Sequence, residues 1–103
     1  MKIIRNNIIP GKNFAAINLF GVLFVRRSAR LTERLLNHER IHTAQMRELG
    51  YLPFYILYLC EWLWRLFRPG NAYRNLTFER EAYDNDHNLH YLHHRRPYAQ
   101  WRR

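Results

Sequence analysis

The chain opens with short apolar runs and then changes to helical spacing. Lys2 to Ile9 read as a first strand, closed by the turn signal Pro10-Gly11-Lys12-Asn13. Phe14 to Arg27 read as more strand, through Ala15, Ile17 and Leu19 and then Val22 to Val25. Gly21 interrupts that run, as a bulge or a second tight turn would. A small antiparallel sheet of two or three strands is therefore expected within residues 1–27. From Leu31 to Leu49 the apolar positions Leu31, Leu35, Ile41 and Met46 mark one face of a helix. Ser28 or Thr32 could cap its start and Gly50 stops it. Pro53 opens a second helix that runs to about Phe67, because proline is tolerated at a first helical position. Arg68-Pro69-Gly70 ends it, and Thr77 caps a third helix reaching about His93. Residues 95–103 follow as a basic, aromatic tail. The expected fold class is α+β: a small sheet followed by three helices, in a single domain spanning 1–103.

The second helix departs from ordinary amphipathic patterning. From Leu52 to Phe67 almost every residue is apolar, with Glu61 and Arg65 as exceptions. The run is shorter than the ~20 residues that a membrane span needs. A core helix, a helix lying in a membrane interface and a dimer interface all fit such a pattern. A small domain can hardly bury one helix on every side, so a core helix with some exposed apolar face is expected. Glu61 and Arg65 stand four apart, the spacing of a helical ion pair.

The first helix carries His38-Glu39-Arg40-Ile41-His42. Histidines four apart lie on one helix face, so both ring nitrogens can reach one zinc ion at ~2.0–2.1 Å. Glu39 then lies beside the metal rather than on it. There it could take a proton from a zinc-bound water and pass it to a leaving amine. Two histidines do not hold a catalytic zinc, and a third ligand is sought in Phe78-Glu79-Arg80-Glu81-Ala82-Tyr83-Asp84.

With these two motifs, residues 20 to 90 resemble the gluzincin metallopeptidases, in minimal form. That family pairs HExxH on one helix with a glutamate from a later helix, often within ExxA followed by Asp or Asn. On Glu79-Arg80-Glu81-Ala82 the resemblance implies a zincin-like core in which Glu79 is the third zinc ligand. Glu81, about 200° away around the helix, is the alternative. Ala82 would let the two helices approach closely. Tyr83 stands where the family has Asp or Asn, so Asp86, two turns from Glu79, is the expected support for the site. Tyr83, Tyr73, Tyr98 or an arginine could supply the donor for a developing oxyanion. The resemblance also implies an edge strand that holds extended peptide, placed at Val22 to Arg26, with Arg26 and Arg27 near the cleft. The implied activity is hydrolysis of peptide bonds in a peptide or protein substrate, with Zn2+ as cofactor.

Charge and composition add a second class of reading. All but two of the 17 basic residues are arginines, and the formal net charge is +9. Such a balance suits anionic partners, including an anionic membrane surface. A non-catalytic, zinc-stabilised basic protein that binds a membrane surface or a protein partner is the alternative function. Nucleic-acid binding has charge alone behind it, with no recognition-helix or RNA-binding motif. Aromatic content of 16% supplies large buried area for so short a chain. The lone cysteine, Cys60, has apolar neighbours and reads as a buried, inert thiol. No signal-peptide core follows Met1. A cytoplasmic location is expected, peripheral on the inner membrane face if the protein binds lipid. His87, His90, His93 and His94 form a second cluster, read first as an exposed polar face and second as a further metal site. In the tail, Tyr98 and Trp101 are expected to wrap back over the core.

Overall fold

The computed structural model describes residues 2–6, 8 and 16–101. The turn expected at Pro10 to Asn13, the strand residues Ile9, Phe14 and Ala15, and the tail residues Arg102 and Arg103 lie outside these. Three strands form one sheet: β1 (Lys2–Asn6), β2 (Ala16–Leu19) and β3 (Val22–Arg26), in the order β1-β3-β2. β2 and β3 are an antiparallel hairpin in which Leu19 faces Val22. The loop is the pair Phe20 and Gly21, both at positive φ, as a two-residue hairpin turn requires. Gly21 is thus the tight turn rather than a bulge. Phe20 adopts φ 53° at a steric cost. Its N–H donates to the Tyr55 hydroxyl at 2.9 Å and its ring packs on the Tyr55 ring at 5.1 Å, which holds the turn.

The α+β class is as expected, but the sheet is mixed rather than wholly antiparallel. β1 runs parallel to β3, with Lys2 opposite Val22 and Asn6 opposite Arg26. The tight hairpin occupies one side of β3, and β1 takes the side that remains. Strand periodicity carries no information about that choice of neighbour or direction.

The helices are α1 (Glu33–Leu49), α2 (Leu52–Arg65), α3 (Thr77–Asn85) and the single turn α4 (Tyr91–His94), followed by a 3-10 turn at Ala99–Trp101. Thr32 caps α1, accepting from the N–H of Leu35 at 3.0 Å, and Gly50 ends it at φ 75°. α3 is shorter than the expected run to His93. The carbonyls just beyond its end are taken by α1: the Asn37 amide donates to those of Asp86 and Asn88, both at 2.9 Å. The Asn88 side chain then accepts from the N–H of His90 and turns the chain. The start of α3 is not capped by Thr77 itself. Glu61 of α2 accepts from the Thr77 N–H at 3.0 Å and from its hydroxyl at 2.6 Å, so the cap comes from another helix. The expected Glu61–Arg65 pair is present beside it, at 3.5 Å.

The core joins Leu23 and Val25 of β3, Ile41 and Met46 of α1, Phe54 of α2, and Leu76, Phe78 and Ala82 around α3. Phe54 and Phe78 stack at 4.8 Å. Trp101 leans on Phe78 at 6.1 Å, so the tail does fold back. Phe54 is the one fully buried residue of α2. Cys60 is exposed, contrary to the buried thiol expected, because the apolar neighbours that flank it in sequence are themselves exposed. No described helix is long and apolar enough to cross a membrane.

Candidate metal centre

Asn37, His38, Ile41, His42 and Gln45 are all buried on α1 and share the helical spacing of one face. That face is mostly polar, yet it packs against α3, whose buried residues are Phe78, Glu79, Glu81 and Ala82. Burying so many polar groups is tolerable only if each finds a partner. Ala82 is fully buried, and its small side chain lets the two helices meet closely enough for that.

His38, His42 and Glu79 converge on one point. Nε2 of His38 and Nε2 of His42 stand 3.2 and 3.0 Å from Oε1 of Glu79, and 3.2 Å from each other. In a tetrahedral site with bonds of ~2.0–2.1 Å, neighbouring ligand atoms lie about 3.3 Å apart. The triangle therefore has the size that one ion would span, and this buried group could hold a metal ion. It is the one such group among the described residues.

The outer partners prepare both imidazoles as ligands. His38 Nδ1 lies 2.9 Å from Oδ2 of Asp86, which accepts from it and so directs Nε2 toward His42 and Glu79. Arg34 donates to the other Asp86 oxygen at 2.7 Å. His42 is held by Gln45. The Gln45 Nε2 donates to the Phe78 carbonyl at 3.0 Å and to Oε1 of Glu81 at 2.9 Å. Its Oε1 must then face His42, where it accepts from Nδ1–H at 2.8 Å. Tyr58 donates to Oε2 of Glu79 at 2.7 Å, leaving Oε1 to the histidines.

The electrostatics follow from this packing. Burial opposes charge on His42, but the Glu79 hydrogen bond and charge, with Glu39 and Gln45, push its pKa up to about 9. Burial would raise the Glu79 pKa, but hydrogen bonds to His38, His42 and Tyr58 and the charge of His42 hold it well below the usual carboxylate range. Burial and the Glu79 charge push the Tyr58 and Tyr73 phenols up, so both remain O–H donors near neutral pH.

Glu39 sits outside the triangle, half-buried, between two adjoining hollows of about 400 Å³ each. One includes His42 and Glu79, the other His38 and Tyr83, and both include Ala16, Glu39 and Tyr73. The strand at the cleft is β2, not the expected Val22 to Arg26. β3 has neighbours on both sides, whereas β2 has one strand neighbour among the described residues. Asn18 of β2 docks on α1, donating to the Glu39 carbonyl at 3.1 Å and to the Thr43 hydroxyl at 3.0 Å. Arg26 and Arg27 line neither hollow; Arg34 does.

Of the two carboxylates open to choice in the sequence, Glu79 reaches the histidines and Glu81 does not. Glu81 accepts from Gln45, from Tyr91 at 2.7 Å and from the largely buried Arg95, which also pairs with Glu48 at 3.0 Å. Glu81 is thus a remote support of His42, relayed by Gln45. Asp86, expected as a support, contacts His38 Nδ1 at 2.9 Å and Arg34 at 2.7 Å. Tyr83 packs edge-on to His38 at 4.6 Å and to Tyr73 at 6.3 Å, while Tyr98 lines neither hollow. The C-terminal histidines are all exposed and form no metal-ligand group among the described residues. Gln45 and Tyr58 escaped the sequence reading. Gln45 stands three residues after His42 on the same helix face, which was its one visible signal. No family model matches this chain, and no curated protein or solved structure matches it either.

Proposed function

We propose that the protein is a zinc-dependent metallopeptidase-like hydrolase, a minimal relative in design of the gluzincins it resembles. The observation that carries this reading is the His38–His42–Glu79 triangle with Glu39 beside it, facing an open cleft. Two imidazoles and one carboxylate are a donor set suited to catalytic zinc. Zinc held there would supply a Lewis acid that polarises a carbonyl and makes water acidic near neutral pH. Glu39 would take the proton of the attacking water and hand it to the leaving amine. The side of β2 away from β3, which has no strand neighbour among the described residues, would hold an extended polypeptide across Glu39. Tyr73 and Tyr83 offer O–H donors to the developing oxyanion, and Tyr73 borders both hollows.

Elemental analysis of untagged, dialysed protein, followed by a quenched-fluorescent peptide library assay, tests this. One zinc per chain, lost in His38→Ala, with cleavage that falls at least a hundredfold in Glu39→Gln while zinc is retained, is the expected result. Iron in place of zinc would overturn the zinc assignment, since the same donor set also suits ferrous iron. Zinc without cleavage of any peptide would favour the alternative, a non-catalytic zinc-stabilised protein.

A further inference from the structure

α2 is amphipathic in reverse. At about 100° per residue its positions divide into two halves. Phe54, Tyr55, Tyr58, Glu61, Trp62 and Arg65 lie on the half turned to the domain, where Tyr58 bonds Glu79 and Glu61 caps α3. The other half, an arc of about 180°, carries no charged residue. Leu52, Ile56, Leu59, Leu63 and Leu66 run along it, and Phe67 at its end is 89% exposed. Both charged side chains of the helix thus lie on the inward half with its aromatic residues, and the outward half is left apolar.

The C-terminal end of this arc meets an exposed cation, Arg68, which lies over the Trp64 ring at 4.5 Å. Elsewhere the acidic groups Glu61, Glu79, Glu81 and Asp86 are committed to internal partners, while Arg27, Arg30, Arg40, Arg47, Arg68 and Arg96 are exposed. These carboxylates are matched by Arg34, Arg65, Arg95 and His42, so the exposed arginines keep the outer surface positive.

We infer that the outer face of α2 seats the protein on an anionic lipid bilayer, with the helix lying in the plane of the interface. The apolar arc would enter the acyl boundary and Trp64 and Arg68 would meet the headgroups. A second copy of the chain fits this face less well. A half-cylinder of 16 residues offers about 400 Å², about half of what one partner of a stable pair buries. Two convex helices also touch along a ridge and leave their flanks wet, whereas acyl chains close around the whole arc.

Cys60 stands within the arc, exposed and the only cysteine, so one thiol reports on the face. The experiment uses full-length protein carrying an environment-sensitive fluorophore on Cys60, and unlabelled protein for co-sedimentation with vesicles of phosphatidylcholine alone or with 30% phosphatidylglycerol. Expected are binding to the anionic vesicles, a blue shift of the label, quenching by brominated acyl chains, and at least tenfold weaker binding in Leu59→Asn/Leu63→Asn. Metal content of that variant, unchanged, shows that it folds. No binding at low salt overturns the inference. So does binding that the double substitution leaves intact, which would be charge alone. A label buried in a lipid-free dimer, seen by analytical ultracentrifugation, gives the face to a second copy instead. None of these outcomes depends on whether the metal centre hydrolyses peptides.

Discussion

Each imidazole of the candidate metal centre has one nitrogen engaged by a neighbour that accepts from it. Asp86 can only accept, and Gln45 presents its oxygen because its nitrogen is occupied by the Phe78 carbonyl and Glu81. Replacing Gln45 with Leu removes the acceptor for His42 Nδ1 and frees the ring to rotate or change tautomer. Zinc affinity, measured by chelator competition, should fall about 10–100-fold. An unchanged affinity would mean that Gln45 serves folding alone. The histidine motif was legible in the sequence because helical spacing places residues four apart on one face. The choice of Glu79 over Glu81 was not secured there. It depends on which side of α3 meets α1, and the buried Arg95 that claims Glu81 lies fourteen residues further on.

At the scale of elements, helices α1 and α2 appear close to where apolar spacing, Thr32, Gly50 and Pro53 predict them. α3 does not, because both of its ends are made by other helices. Glu61 of α2 satisfies its first N–H, and Asn37 of α1 takes the carbonyls beyond its last turn. Glu61→Ala should therefore destabilise the protein by about 1–2 kcal/mol in urea unfolding, as loss of a helix cap does. Arg65→Ala, which removes the partly exposed ion pair and the contact with the Trp64 ring but leaves the cap, should cost less, about 0.5 kcal/mol. Equal losses would show that the pair, and not the cap, is what Glu61 contributes. The hairpin was legible to the extent that Gly21 marked a turn. The parallel pairing of β1 was not, since alternation specifies a face and not a neighbour.

For the whole molecule, the candidate metal centre and the fold share one interface between α1 and α3. A proton on His42 and a divalent ion compete for the same lone pair. In chelated protein the raised His42 pKa contributes stability that is fully present below its ordinary 6.5 and is lost as pH rises through about 9. The depressed Glu79 pKa contributes stability present above the ordinary carboxylate pKa of 4.5 and lost as pH falls below it. The melting temperature of chelated protein should thus fall between pH 6.5 and 9. Zinc at about 1,000 times its dissociation constant should add about 4 kcal/mol, and the zinc-loaded protein should lose less on raising pH because uptake expels the proton. A chelated protein whose melting temperature is flat across that range would refute the proton's place among the three ligands.

What the sequence determined by itself was local: the helical register that pairs His38 with His42, the turn and cap residues, the arginine excess and the apolar run of α2. These follow from side-chain chemistry and from spacings of a few residues. Tertiary structure decided the rest: β2 rather than β3 at the cleft, Glu79 rather than Glu81 at the histidines, Gln45 and Tyr58 as supports, and the outward turn of the apolar half of α2. The reason is the same in each case. A buried polar group needs a partner, the partners lie tens of residues away, and the packing of α1, α2 and α3 selects which of them meet.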